Sequence, residues 1–364
     1  MYAAALIYGP HSHQLDHLGP LSQLLGIPLF ITEEEIFAQA RIFYPGIDAR
    51  LYAPPDMAMA LLQDHHAVFS CLSKTWVDEL FFFAQHALRK KIYPIWCPHG
   101  HCDRGYKSGF MNNLSEEKAA LIYGPRMLEL FKACEVLENL RAYALTGNYR
   151  WKDYRIHQEF YDRSAADHIR RKLREGRIFL FAPSWQNSEE WDDLKKVCET
   201  LILKLPPQTN LIIKLHSDTL LEAEMGFKQL QAKYGGHPGI FFLHQYPHLY
   251  SLLSICDLYI GDTSSIGYEF IAFDRPMIFL NHQNLTKRGI DPETDLGRCG
   301  ISLSPIDYPR IYNLIEELLP FDRQLFSSIR KQTYTYTFGE TKMPEVLRAE
   351  ITALIHGLSS DEII

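Results

Sequence analysis

The sequence has no apolar run approaching the about twenty residues that a membrane-spanning helix requires. Its opening, MYAAALIYGPHSH, lacks a charged leader region and reads as a buried first strand, so the expectation is a soluble, cytoplasmic chain. Basic charge is not in excess either. Lys and Arg number 37 against 44 Asp and Glu, a formal charge of −7, which excludes a global field for nucleic acid or an anionic membrane. The seven cysteines, at 71, 97, 102, 134, 198, 256 and 299, contain no CxxC pair and no repeated spacing, and are expected as reduced thiols. There is no internal repeat and no low-complexity linker. No G-x-S-x-G, Walker loop or G-x-G-x-x-G occurs, which argues against a serine hydrolase, a P-loop enzyme and a dinucleotide oxidoreductase.

What is present is an alternation of short apolar runs with amphipathic stretches over 364 residues, more than one core ordinarily serves. Strands are expected at Ala3 to Tyr8, Pro28 to Ile31, Ala67 to Cys71, Ile92 to Cys97, Lys118 to Ile122 and Ala142 to Leu145. A helix is expected from Thr75 to Lys91, and a charged helical hinge across SAADHIRRKLREGR, from Ser164 to Arg177. Beyond it the runs IFLFAPSW, NLIIKLH, IFFLH and DLYIGD alternate with helices over Trp191 to Leu203 and Leu221 to Lys233 and a short one before Cys256. The reading is α/β, two Rossmann-like parallel-sheet domains facing across a cleft, at 1–165 and 175–340, with a helix over 341–364 packing back toward the first.

In such sheets ligands meet the loops that follow strands. Those loops are His99 to Lys107, Tyr149 to Arg155, Ser184 to Asn187, Lys214 with His216, and Asp262 to Ser265. His99 beside Gly100 suits a general base, because imidazole titrates near neutrality; a turn with a solvated His is the alternative. His99, His101, Cys102 and Asp103 make no recognisable metal set, and none is expected. Lys214 and His216, two apart, share a strand face, and a buried Lys calls for a charged partner such as an Asp or a phosphate. The stretch ICDLYIGDTSSIGYEFIAF reads as strand, polar loop and helix. Asp262, Thr263 and Ser264 at that helix start fit two roles, a plain cap or a cradle for an anion at the positive dipole end. Glu269 lies about one turn inside the helix, on a side where a ribose would stand or where a salt bridge to Arg275 would form.

Taken in order, PHGHCDR, LIYGPRMLELF, LTGNYRWKD, IFLFAPSW, LIIKLHSD and LYSLLSICDLYIGDTSSIGYEFIAFDRPMIFL resemble the CDP-glycerol glycerophosphotransferases of teichoic-acid synthesis. The resemblance covers roughly Trp96 to Asn281. It implies a GT-B fold, His99 as catalytic base, Lys214 and His216 as donor contacts and Asp262, Ser264 and Ser265 at the pyrophosphate; Ser184, Thr263 and Glu269 from the loop reading are placed with the donor, and Arg104 with His99. Gly100, Lys107 and Arg150 fall on the acceptor or glycerol side. Departures from the family pattern are Arg104 where Lys is usual, Ser217 where Pro is usual, and Tyr149 in GNYRWKD. The first ninety residues, HSHQLDHLGP included, match no pattern.

The expected function is therefore transfer of glycerol phosphate, or a related alditol phosphate, from a CDP-linked donor to a hydroxyl acceptor with CMP leaving. The resemblance implies no obligatory cofactor or metal, and an acceptor that is lipid-linked, met by a peripheral protein at the inner face of the membrane. ELFFFAQHALRKK fits either an amphipathic surface helix for that purpose or a buried helix with a cationic end. Two other readings stand beside it: an NDP-sugar glycosyltransferase or epimerase of the same fold, and a non-catalytic nucleotide-binding protein with drifted acceptor motifs.

Overall fold

The computed structural model describes residues 2–87, 89–101, 113–184, 191–216, 219–220, 223–244, 246–280 and 295–360. The chain divides into two compact units, the first formed by residues 1–100, 104–156 and 336–364, the second by 101–103 and 157–335.

In the first unit the apolar runs become β1 (Ala3–Ile7), β2 (Leu29–Ile31), β3 (Ala49–Leu51), β4 (Ala67–Ser70), β5 (Tyr93–Trp96), β6 (Ala119–Ile122) and β7 (Ala142–Leu145). They form one parallel sheet in the order β3-β2-β1-β4-β5-β6-β7. β1 and β4 are buried along their whole length, as interior strands covered on both faces must be. One face is filled by Phe30, Met57, Leu61, Val77 and Leu80, from β2 and the helices Pro54–Asp64 and Lys74–Ala87. The unit is finished by residues far along the chain. Helix Pro344–Ser360 lies against β7, and Arg348 donates to the Leu24 carbonyl at 2.7 Å. At Gly124 a Cβ would fall 2.5 Å from the backbone carbon of Phe338, so only glycine lets that backbone approach.

The second unit holds β8 (Arg177–Phe181), β9 (Thr209–Ile213), β10 (Ile240–Phe242), β11 (Leu258–Gly261), β12 (Met277–Leu280) and β13 (Ile301–Leu303), again all parallel, in the order β10-β9-β8-β11-β12-β13. Phe179, Phe181, Leu211, Ile213, Leu258 and Ile260 fill its core against helices Trp191–Leu203 and Glu224–Tyr234. Each such buried side chain stabilises the fold by about 1.5–3 kcal/mol.

The structure differs from expectation in three places. The hinge is not one helix: helix Gln158–His168 ends early, Arg170–Lys172 form a 3-10 turn, and Arg174 bonds the Thr209 carbonyl at 2.7 Å, drawing the chain out toward β8. β9 stops at Ile213, so Lys214 and His216 follow the strand rather than belonging to it, although the Lys214 N–H still donates to the Phe181 carbonyl at 2.9 Å. β3 and β13, three-residue outer strands, and β12, a buried interior strand, were not foreseen. Among the described residues no helix is long and apolar enough to cross a membrane.

Candidate functional site

In the first sheet the chain turns opposite ways from β1 and β4, and the loops after these neighbouring strands diverge, as they do where open α/β sheets bind ligands. Next to them, β5 runs out into Cys97, Pro98, His99 and Gly100, which places half-buried His99 at the carboxyl end of the sheet. The loop after β1 brings His11 and His13, and helix Leu15–Leu25 brings His17. The His99 ring lies 5.7 Å from that of His13 and 6.5 Å from that of His17, while His11 and His13 are 5.9 Å apart, centroid to centroid.

His17 is held on every side. Its Nδ1 is 3.0 Å from the Tyr123 hydroxyl, which donates to the Pro98 carbonyl at 3.1 Å. With the hydroxyl proton spent there, His17 is assigned the Nδ1–H tautomer, leaving the lone pair on Nε2. Burial, then Arg150, His99 and His13, push its pKa well below the ordinary value, so it stays neutral. Its carbonyl accepts from the Tyr149 hydroxyl at 3.0 Å. Arg150, read from the sequence as a ligand on the acceptor side, is instead committed inward. Its guanidinium is buried, donates through Nε to the Asp16 carbonyl at 3.1 Å and pairs with the Asp16 carboxylate. Arg104 and Lys107 lie outside the described residues, and Gly100 follows His99 with φ at +132°.

In the second sheet the corresponding divergence falls between β8 and β11. Ser184, after β8, donates its backbone N–H to Asp262 at 3.0 and 3.1 Å and its hydroxyl to the same carboxylate at 2.5 Å. Asp262, after β11, thus joins the two loops. Beneath them sits the buried Tyr259, whose hydroxyl lies 3.0 Å from the Ala182 carbonyl, 3.1 Å from the Asp262 carbonyl and 3.0 Å from the Ser264 hydroxyl. Burial raises its pKa, so it remains a phenol. Gly261 makes room for it, since a Cβ there would stand 2.2 Å from the Tyr259 oxygen. Ser264 occupies the N-cap position of helix Ser265–Phe270 without a side-chain bond to the helix, so plain capping by that hydroxyl is not its role.

Thr263 and Ser265 are half-buried at the same turn, Lys214 and His216 are half-buried beyond β9, and Glu269 is buried in the helix. Arg275, considered as the Glu269 partner, donates to the carbonyls of Ser254 and Cys256 at 2.7 and 2.5 Å. Replacing Tyr259 by Phe is expected to lower stability by about 1–3 kcal/mol, because three buried oxygens lose a shared partner. Urea denaturation measures it, and an unchanged midpoint would show that the phenol does not tie these loops. Among the described residues no group of three or more His, Cys, Asp or Glu side chains is arranged to hold a metal ion.

These loops of the second unit fall within a stretch with known relatives. Residues 152–288 match the CDP-glycerol:poly(glycerophosphate) glycerophosphotransferase family. The resemblance drawn from the motifs is borne out there. Among solved structures, the wall teichoic acid polymerase TagF aligns with a TM-score of 0.68 at 14% identity, over 100% of this chain and 90% of that one. A His-to-Asn variant of TagF soaked with CDPG aligns at 0.64 and 15% identity, over 98% and 88%. Anabaena Alr3699/HepE in complex with UDP and glucose aligns at 0.58 and 10% identity, over 98% and 99%. At these identities the structures establish a shared fold of two parallel-sheet α/β units. No curated protein matches the chain by sequence.

The strand-end rule located His99, Ser184, Lys214 and Asp262 to Ser265. It missed His11, His13, His17 and Tyr259. The loop after β1 obeys the same rule, and applying it to LIYGPHSH would have found the first two.

Proposed function

We propose that this chain transfers glycerol phosphate, or a related alditol phosphate, from a CDP-linked donor to a hydroxyl acceptor. The observation that carries the reading is the family match over residues 152–288, because that stretch contains Ser184, Lys214, His216, Asp262 to Ser265 and Glu269. The second unit takes the donor and the first the acceptor. His99 removes the acceptor's hydroxyl proton as that oxygen attacks the β-phosphorus; the new O–P bond forms, the bridging P–O bond breaks, and CMP departs with its electrons. Such transfers are driven by positioning and charge stabilisation more than by covalent work from the protein.

Lys214 and the first-turn N–H groups at Ser264 and Ser265 hold the developing charge, and no resident metal is required. Asp262, already bonded to Ser184, acts by fixing the loops, since a carboxylate facing a diphosphate would oppose binding. Arg104, Lys107 and Gly100 complete the acceptor side of the reading. An acceptor carried at a membrane surface fits it too: Phe82 and Phe83 are exposed on helix Lys74–Ala87, while Lys90 donates to the Leu62 carbonyl at 2.8 Å.

A melting-temperature panel with CMP, CDP, CDP-glycerol, UDP and UDP-sugars tests the donor. A ligand at one hundred times its dissociation constant adds about 2.7 kcal/mol of stability, a readily visible shift. Cytidine ligands are expected to shift the wild type and to lose that shift in Ser264→Ala/Ser265→Ala. Stabilisation by uridine ligands alone would replace the reading with glycosyl transfer by the same fold. No shift with any nucleotide would remove the donor site altogether.

A further inference from the structure

The histidines of HSHQLDH lie around His99, yet the transfer as written uses none of them. Each turnover leaves the acceptor's proton on His99, and at neutral pH CMP departs largely as its phosphate dianion, which does not take that proton away. His99 must be emptied before the next acceptor is deprotonated. His13 is the half-buried imidazole 5.7 Å from His99, and His11, also half-buried, is 5.9 Å from His13. At these ring separations neighbouring nitrogens are within reach of a hydrogen bond or a single bridging water. His17 is buried and bonded by Tyr123 and Tyr149, so it has no path to solvent of its own.

Resting on the transfer reading above, we propose that His13 and His11 are the proton exit of this centre: His99 passes the acceptor's proton to His13, His13 to His11, and His11 to water. Each step breaks one N–H bond as the next forms, the last proton passing from N–H to an O–H of water, so one proton enters and leaves per turnover. His17 is a positioning residue. Fixed as the neutral Nδ1–H tautomer, it adds no positive charge beside His99 when the latter is protonated.

The groups around the path are His11 and His13 from the loop after β1, Asp16 and His17 from helix Leu15–Leu25, and Cys71 and Cys97 after β4 and β5. Tyr123 after β6 and Tyr149 and Arg150 from helix Tyr149–Ile156 complete them. Burial raises the pKa of both thiols and of Tyr149, so none is ionised near neutrality. Asp16 and Arg150 are paired with each other. The imidazoles of the path are the half-buried His11, His13 and His99, and the Glu117 carboxyl, pushed up to about 7 by burial, acts on the neighbouring Cys97.

The experiment has two arms on the full chain. In the first, His99 is titrated by NMR with labelled histidine in wild type and in His13→Gln. Coupled imidazoles repel when both are charged, so His99 is expected to titrate at higher pH and in one simple step once His13 is gone. In the second, steady-state transfer is measured at neutral pH. His13→Gln is expected to lower kcat by about tenfold with the donor KM unchanged, and small imidazole buffers are expected to restore it. A structural loss would not respond to buffer. An unchanged His99 titration, or an unchanged kcat, overturns the proton exit alone. Absence of wild-type turnover with every donor overturns the transfer reading, and the proton exit with it.

Discussion

Replacing His99 by Asn is expected to lower turnover by about two to four orders of magnitude, the range a positioned general base supplies. Binding of the proposed donor should survive, because Ser184, Lys214 and Asp262 to Ser265 belong to the second unit and His99 to the first. Asn keeps a polar side chain of similar reach at a half-buried loop position, so the fold is not at stake. CMP release in a single turnover reads the chemistry, and the cytidine-induced melting shift reads the donor site. Retained turnover would assign the proton to another group, whereas loss of both signals would show that His99 holds the structure rather than the reaction.

The largest expected loss of stability follows Arg150→Met. Arg150 is 2% exposed and balances the Asp16 carboxylate, whose Oδ1 also lies 3.5 Å from the Tyr44 hydroxyl. Removing the cation leaves a carboxylate in a poorly solvated place, at a cost of about 3–5 kcal/mol. The double variant Asp16→Asn/Arg150→Met should recover much of this, because no uncompensated charge remains. Arg150 also contributes to the low pKa of His17, so in the single variant that pKa should rise toward its ordinary value. Chemical denaturation of the wild type, the single variant and the double variant decides it. A single variant as stable as the wild type would mean that Asp16 finds equal compensation elsewhere.

Much of this architecture was legible because parallel strands buried on both faces are written as uninterrupted apolar runs. Ala3 to Ile7, Ala67 to Phe69 and Leu211 to Ile213 are of that kind. β3, with the sequence Ala-Arg-Leu, was not, since an outer strand is half-exposed and carries no such run. β13 has the same defect. The loops after β8, β9 and β11 were legible as strand ends. The roles within them were not: Asp262 looks like a helix cap until Ser184, seventy-eight positions earlier, is seen to occupy its carboxylate. Tyr259 reads as one more apolar strand residue, and its bonds to Ala182 and Ser264 depend on tertiary placement. The imidazoles of the first loop were hidden for a similar reason. His13 and His99 are distant in sequence, and only the β1-β4-β5 order brings them together.

The late closure of the first unit imposes an order on biosynthesis. Its sheet is encoded before residue 146, yet the helix that covers β7 and the backbone that seats against Gly124 belong to residues 336–360. A chain made from its amino terminus exposes that sheet while some two hundred further residues are added. Within that interval the second unit, continuous from residue 157 to 335 apart from one short segment, has everything it needs to close. The half that is translated first is the half that matures last, and its imidazole centre is assembled on a scaffold still waiting for its final helix.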